Sequence, residues 1–256
     1  MNDRRAADQA TAGLRKNLCE FPARFVKCIL VAVQDQYHTA TATLLDFGHG
    51  PLAVTCSHVI TKYLEEWKAG RAIVRIGNIG VAPSQLADLD TDVDLATIRL
   101  TAEQAMALVA EEGISTQFYE PPRWPPERAI EKEWVAIGGF PGEWRRRGSE
   151  PQALILPYYG IGATAVTSTT ERYFSCQFER EHWIWVSRYL ELPDLTTFGG
   201  LSGGPVFAER RLHRALIGIV TEISQPGEIM FLAHAHWIQK DGSICRDRPW
   251  DFRRAE

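Results

Sequence analysis

An all-β protein folded in two lobes is what this sequence predicts, and three observations carry that expectation. Its apolar stretches are short, rich in Val, Ile, Thr and aromatic residues, and bounded by turn formers, as strands are and long helices are not. Thirteen such stretches stand against two amphipathic helical segments, and strands in that number close on one another as barrels or a sandwich. Between residues 119 and 128 the chain reads YEPPRWPPER, whose four prolines withhold backbone donors from any central strand and favour an extended crossing. The expected division is an N-terminal segment 1–21, a first lobe 22–118, the crossing 119–128, a second lobe 129–240 and a C-terminal tail 241–256.

Taken in order, the N-terminal segment reads as helical over 5–17, and strands are expected at 25–34, 39–46 and 51–56. Residues 59–68 place Val59, Ile60, Tyr63, Leu64 and Trp67 on one face at helical spacing. Strands at 72–77 and 94–100 follow, and Thr101 with Gln104 in capping-box spacing opens a helix over 102–112. Beyond the prolines, strands are expected at 133–139, 153–157, 161–168, 172–178, 183–190, 204–208, 214–222 and 228–235. No period of 20–50 residues repeats, which excludes a solenoid or propeller.

Composition narrows the function classes. At 256 residues, 45% hydrophobic and 23% charged, with 20 Gly and 14 Pro, the chain is neither disordered nor collagen-like. A net charge of −4 supplies no basic field for nucleic acid or anionic lipid. No uninterrupted apolar run exceeds the six residues of Cys28 to Val33, far below the roughly 20 that a membrane-spanning helix needs. The first twenty residues mix both charge signs and hold no apolar signal core, so a cytoplasmic protein is expected. Five cysteines (Cys19, Cys28, Cys56, Cys176 and Cys245) without a CxxC pair fit reduced thiols better than a disulfide framework or a zinc site.

The most specific string is Gly200-Leu201-Ser202-Gly203-Gly204-Pro205, a serine enclosed by glycines and running into a strand. Glycine backbone lets a nucleophile sit exposed on a tight turn, with the Gly200 and Ser202 amides free to aim at one developing oxyanion. A hairpin turn carrying an incidental serine has the same composition. A serine hydroxyl needs a base, and His58 sits where the apolar strand Leu52–Cys56 gives way to the amphipathic helix. Asp94, at the entry of Leu95-Ala96-Thr97-Ile98, is expected to be buried more deeply than Asp88, Asp90 or Asp92 and so to fix an imidazole. Alone, His58 reads equally as a helix-start residue and Asp94 as a turn residue.

Together, Thr55-Cys-Ser-His58, Asp94-Leu95-Ala96 and Gly200-Leu-Ser202-Gly-Gly-Pro205 resemble, in that order, the T-x-x-H, D-[IL]-A and G-x-S-G-G-P strings of chymotrypsin/trypsin-like serine peptidases. Trp134-Val-Ala-Ile-Gly-Gly-Phe-Pro141-Gly142 adds a likeness to bacterial Deg-type members. The resemblance implies two six-stranded antiparallel β-barrel lobes with few short helices and the active site in the cleft between them. It makes His58 the general base, Asp94 its orienter and Ser202 the nucleophile, with the Gly200 and Ser202 amides as oxyanion hole. Substrate is then a protein or peptide, hydrolysed without metal or organic cofactor. Leu216–Thr221 looks like the family's G-I-V-S strand, so Thr221 would supply the hydroxyl that supports the acid, and Thr221, Glu222 and Ile223 would pair with an extended peptide. Thr196 would floor an uncharged specificity pocket flanked by Thr197, Phe198 and the wall of Ile223, with Glu222 as the group that could attract a basic residue.

Two departures from the family pattern bear on activation. Leu201 stands where secreted zymogens carry an aspartate that receives a newly cut N-terminus, and Val59 stands where trypsin has a disulfide cysteine. A site permanently formed, or ordered by a regulatory protein partner, fits better than activation by cleavage. The G-x-S-x-G pattern also describes α/β-hydrolases, but their triad order and alternating helices are missing here. His234 and His236 could pair on a metal, yet no third ligand is adjacent. Arg145–Arg147 reads as a solvated loop, and Trp183 and Trp185 as packing. The rival from another class is a catalytically silent peptidase fold that binds peptide without cutting it.

Overall fold

The computed structural model describes residues 20–34, 36–111, 115–141, 146–147, 154–155, 158–178, 183–187, 199–210, 213–224 and 228–246. Within them the chain forms sixteen strands and three short α-helices. The first lobe holds β1 (Val26–Val33), β2 (Gln36–Asp46), β3 (Pro51–Thr55), β4 (Ala72–Ile76), β5 (Ile79–Val81), β6 (Leu86–Asp90) and β7 (Leu95–Arg99). They form one antiparallel sheet in the order β5-β4-β1-β2-β3-β7-β6, a curled half-barrel whose ends no pairing joins among the described residues.

The second lobe holds β8 (Trp134–Gly139), β11 (Tyr158–Thr169), β12 (Tyr173–Gln177), β13 (Trp183–Ser187), β14 (Pro205–Arg210), β15 (His213–Ser224) and β16 (Ile229–His234). A small hairpin of β9 (Arg146–Arg147) and β10 (Leu154–Ile155) stands apart. The order β12-β16-β15-β14-β8-β11 closes into a six-stranded barrel because β12 also pairs with β11, leaving β13 as an outer strand on β11. The all-β class expected from sequence is the class observed, with one barrel closed and the other curled.

Each lobe has its own core. Ile29, Leu44, Ile60, Trp67, Ile76, Ile98 and Leu108 fill the first, and Val135, Ile137, Phe174, Phe178, Val206 and Leu232 the second. A third cluster, with Phe25, Val54, Leu95, Tyr119, Phe207 and Ile219, joins them. Its centre is Phe207, whose ring meets Tyr119 at 5.0 Å and Phe25 at 5.6 Å. Burying one such ring is worth about 1.5–3 kcal/mol, so the lobes are held by packing as well as by the chain. The termini of the described chain exchange places. The 3-10 turn Pro22–Phe25 lies on the second lobe, while Thr97 Oγ1 donates to Gly242 O at 2.5 Å and Ile244 N donates to Asp88 Oδ2 at 2.8 Å on the first.

Three local expectations need correction. The helix expected over 59–68 is broken into α1 (Ser57–Thr61) and α2 (Leu64–Lys68), because the backbone turns at Tyr63 (φ −121°, ψ 7°) to bury that ring beside His38. The helix expected over 102–112 is α3 (Ala102–Ala110), opened by the anticipated capping box, with Gln104 N on Thr101 Oγ1 at 3.2 Å and Thr101 N on Gln104 Oε1 at 2.9 Å. Strands β5 and β6 had no place in the sequence reading. The first centres on Gly80, and the second, Leu86-Ala87-Asp88-Leu89-Asp90, carries two aspartates that look like turn residues until Arg246 arrives from the far end of the chain. The helical segment 5–17, the strand 153–157 apart from its residues 154–155, residues 188–190 of the strand 183–190, and the Arg145 and Gly142 positions lie outside the described residues.

Candidate active site

Ser202 sits on a turn that only glycine can build. A Cβ on Gly203 (φ +92°) would stand 1.9 Å from Thr41 O, and one on Gly204 would stand 2.3 Å from Gly138 O. That close approach lets the first lobe grip the serine turn directly. Thr41 N donates to Ser202 O at 2.9 Å, Thr41 Oγ1 donates to Gly200 O at 2.8 Å, and Thr43 Oγ1 donates to Gly203 O at 2.7 Å. The amides of Gly203 and Gly204 are spent on Val220 O and Leu201 O. Those of Gly200 and Ser202 meet no acceptor among the described residues, which leaves two donors for an incoming oxygen.

His58 lies in the first turn of α1, and Asp94 ends the turn between β6 and β7 in a left-handed backbone (φ +54°) that aspartate tolerates better than most residues. His58 Nδ1 meets Asp94 Oδ2 at 2.8 Å, so Nδ1 carries the proton and Nε2 is left as the basic nitrogen. Asp94 Oδ1 accepts both the His58 amide at 3.0 Å and the Ser57 hydroxyl at 2.8 Å. The bond to Asp94 pushes the His58 pKa above its ordinary value of 6.5, against the opposing effect of burial, with the Asp94 and Glu222 charges adding to the rise.

Two expectations about the acid fail. Its side chain is 21% exposed, whereas those of Asp88 and Asp90 are 17% and 11% exposed, so it is not the most buried of the four. Arg246 covers the other two. Nor does Thr221 support it, since that hydroxyl donates to Phe231 O at 2.9 Å and the Ser57 hydroxyl occupies Asp94 instead. A bulge in β15 between Val220 and Glu222 turns Thr221 to its own sheet. Ser57 went unremarked in the sequence, although a hydroxyl immediately before His58 was the available signal.

His58, Asp94 and Ser202 line one cavity of about 770 Å³, together with Ser57, Thr61, Lys62, Thr91, Thr221, Glu222 and Ile223. The Ser202 hydroxyl donates to Thr221 O at 3.0 Å, so in this arrangement it faces β15 rather than the imidazole. Glu222 and Ile223 line this cavity beside Thr221. Thr196 and Thr197 lie outside the described residues. Cys56, His58 and Asp94 are the group of possible metal ligands found among the described residues, but the Cys56 thiol donates to Val220 O at 3.0 Å and burial pushes its pKa well up. The remaining ligands are the imidazole and carboxylate already bonded to each other. His234 and His236 stack at 5.0 Å in the interior, where burial lowers their pKa values to about 4 and about 3. No helix among the described residues is long and apolar enough to cross a membrane.

A closed barrel and a curled half-barrel meeting at a histidine, an aspartate and a glycine-seated serine define a protein of the chymotrypsin-like two-barrel class. The chain belongs to the trypsin-like peptidase family, whose profile, described as trypsin-like peptidase domain, matches residues 40–219. Among solved structures it resembles the serine endoprotease from Yersinia pestis at a TM-score of 0.50 and 15% identity, over 85% of this chain and 61% of that one. It also resembles the active form of the Rv3671c protease from M. tuberculosis (TM-score 0.46, 14% identity, 85% and 79% covered). The HtrA-type protease AlgW with tripeptide gives 0.48 at 16% identity, over 86% and 60%. At these identities the likeness is one of fold. No curated protein matches the sequence.

Proposed function

We propose that the chain is a serine endopeptidase that hydrolyses peptide bonds through an acyl-enzyme. Ser202 Oγ attacks the scissile carbonyl while His58 Nε2 takes the hydroxyl proton. Asp94 holds the imidazole in the required tautomer and balances its charge. The Gly200 and Ser202 amides receive the oxyanion. His58 then returns the proton to the leaving amine as the C–N bond breaks, and water repeats the sequence to free Ser202. The observation that carries this reading is the 2.8 Å contact between His58 Nδ1 and Asp94 Oδ2 at the mouth of the cavity that Ser202 also lines.

Leu201, wholly buried in the second core, offers no carboxylate to a newly cut N-terminus, which supports activation by another route. The conformational step this reading requires is smaller: the Ser202 hydroxyl must leave Thr221 O and turn to the imidazole. Substrate or a regulatory partner lying along β15 would compete for that carbonyl and so drive the rotation. The same Ser202 contact favours the second reading, a silent peptide-binding module whose serine stays turned away.

Labelling by a fluorophosphonate, read against Ser202→Ala, separates the two. An active peptidase labels, more strongly with peptide or partner added, and the variant does not. Absence of labelling under every condition, with peptide still bound, establishes the binding module. Loss of His58 or Asp94 should lower turnover by roughly 10⁴ to 10⁶.

A further inference from the structure

Glu222 and Phe231 face each other across β15 and β16. Directly opposed residues of an antiparallel pair share a sheet face with their Cβ atoms about 5 Å apart. Both side chains are exposed, Phe231 at 39%, which makes it one of few large apolar groups on this surface. The Glu222 carboxylate has neither an ion pair nor a hydrogen bond among the described residues, although it lines the cavity beside His58 and Ser202. Of the other charges in that cavity, Asp94 is consumed by His58 and Ser57, and Lys62 stands on the opposite lobe, 5.2 Å from the Tyr63 ring. A free carboxylate beside an exposed phenyl ring offers a cationic side chain an ion pair for its head and a π-face for its stem.

Resting on the peptidase reading, we infer that Glu222 and Phe231 form a subsite for a lysine or arginine side chain, carried by the substrate residue immediately before the one whose carbonyl meets Ser202. The position follows from strand geometry. Along β15, strand pairing to β14 ends at Ile219 opposite Pro205, Val220 still bonds Gly203 and Gly204, and Thr221 O, the next group along the edge, lies against Ser202. A peptide added to the freed edge runs antiparallel to β15, as every neighbour in this sheet does. The residue at Ser202 then lies against Thr221, and its predecessor lies against Glu222 with its side chain on the Glu222 and Phe231 face.

Binding tests the subsite apart from the chemistry. Three labelled octapeptides, differing only in lysine, norleucine or glutamate at that position, are titrated into the Ser202→Ala protein. Lysine is expected to bind about tenfold tighter than norleucine and glutamate most weakly, the size of a partly exposed charge-assisted contact with a ring beneath it. Adding Glu222→Gln should bring lysine and norleucine within about twofold, and Phe231→Leu should remove about half of the logarithmic advantage. Equal binding of lysine and norleucine, no binding of any peptide, or an advantage that survives Glu222→Gln overturns the subsite. Cleavage of the lysine peptide by the unsubstituted protein is scored separately. If it is bound with discrimination and never cut, the peptidase reading fails and the subsite stands.

Discussion

The Ser57 hydroxyl donates to Asp94 Oδ1 at 2.8 Å, on the same oxygen that receives the His58 amide at 3.0 Å. Residues adjacent in sequence thus hold one carboxylate oxygen from α1, and the other oxygen is free for the imidazole. Because Ser57 is almost wholly buried, its loss leaves a charged acceptor short of a donor rather than exchanging it for water.

Ser57→Ala is therefore expected to lower kcat/KM about tenfold, the rate equivalent of one hydrogen bond to a charged group. Thr221→Val, which removes the hydroxyl from Phe231 O and not from Asp94, should change kcat/KM less than threefold while costing about 1 kcal/mol of stability. Steady-state kinetics on the pair decides which hydroxyl serves the acid. A larger loss of turnover in Thr221→Val would reverse the assignment.

The reason this exchange was hidden lies in the distance over which it is set. The glycine-seated Ser202, His58 and Asp94 were legible because each chemical demand falls on a short local string. The Thr221 hydroxyl is redirected by a bulge in β15, and a bulge is fixed by how two strands register, not by either strand alone. Strand β6 failed for a similar reason: Asp88 and Asp90 are neutralised by Arg246, more than 150 residues away, and read locally as loop formers. Closure of the second barrel depends on β11 meeting β12 beyond an irregularity at Val166 and Ser168, which no periodicity announces.

The raised pKa of His58 sets a pH dependence with opposite signs for activity and stability. The base must be neutral, so kcat/KM should rise with pH through a midpoint above 6.5. The folded pKa is raised, so the His58 and Asp94 contact stabilises the fold fully below the unfolded value of 6.5, and that contribution is lost as pH climbs through the folded pKa. Imidazole NMR titration of the Ser202→Ala protein should find the midpoint above 6.5, and Asp94→Asn should lower it while cutting turnover by about 10⁴. A midpoint below 6.5 with Asp94 intact would contradict the geometry.

Gly203 tests the seat of the nucleophile. A methyl group there meets Thr41 O at 1.9 Å and Thr55 Oγ1 at 2.7 Å, and the φ of +92° is one that side-chain-bearing residues rarely adopt. Both obstacles belong to the first lobe, so the chain can accept Gly203→Ala only by parting β2 from the serine turn. A loss of about 3–5 kcal/mol is expected by urea denaturation, with labelling of Ser202 abolished in whatever protein remains folded. Gly199→Ala, which meets nothing within 4 Å among the described residues, is the matched control and should melt within about 2 °C of the parent.

Arg246 makes no contact with the cavity, yet it stands at the head of a chain of bonds that ends at the imidazole. Its guanidinium meets Asp88 Oδ1 at 2.6 Å, Leu89 O at 2.9 Å and Asp90 Oδ2 at 3.1 Å. Asp90 Oδ1 in turn accepts the amides of Asp92 at 2.8 Å and Val93 at 3.2 Å, closing the turn that presents Asp94, and the Tyr173 hydroxyl pins the same turn from the second lobe through Asp92 O. The guanidinium is about half exposed, so the pair itself is worth little, on the order of 1 kcal/mol, and the effect of losing it is one of position. Arg246→Ala should therefore shift the melting temperature by only about 2–4 °C while lowering kcat three- to tenfold, roughly, with little change in KM. The His58 midpoint should fall with it, because a looser turn weakens the Nδ1 bond that raises that pKa. Arg246→Lys, which restores charge without the fork that spans two aspartates, should recover part of the loss. An unchanged His58 midpoint in Arg246→Ala would show that Tyr173 and the buried Val93 hold the turn without the arginine.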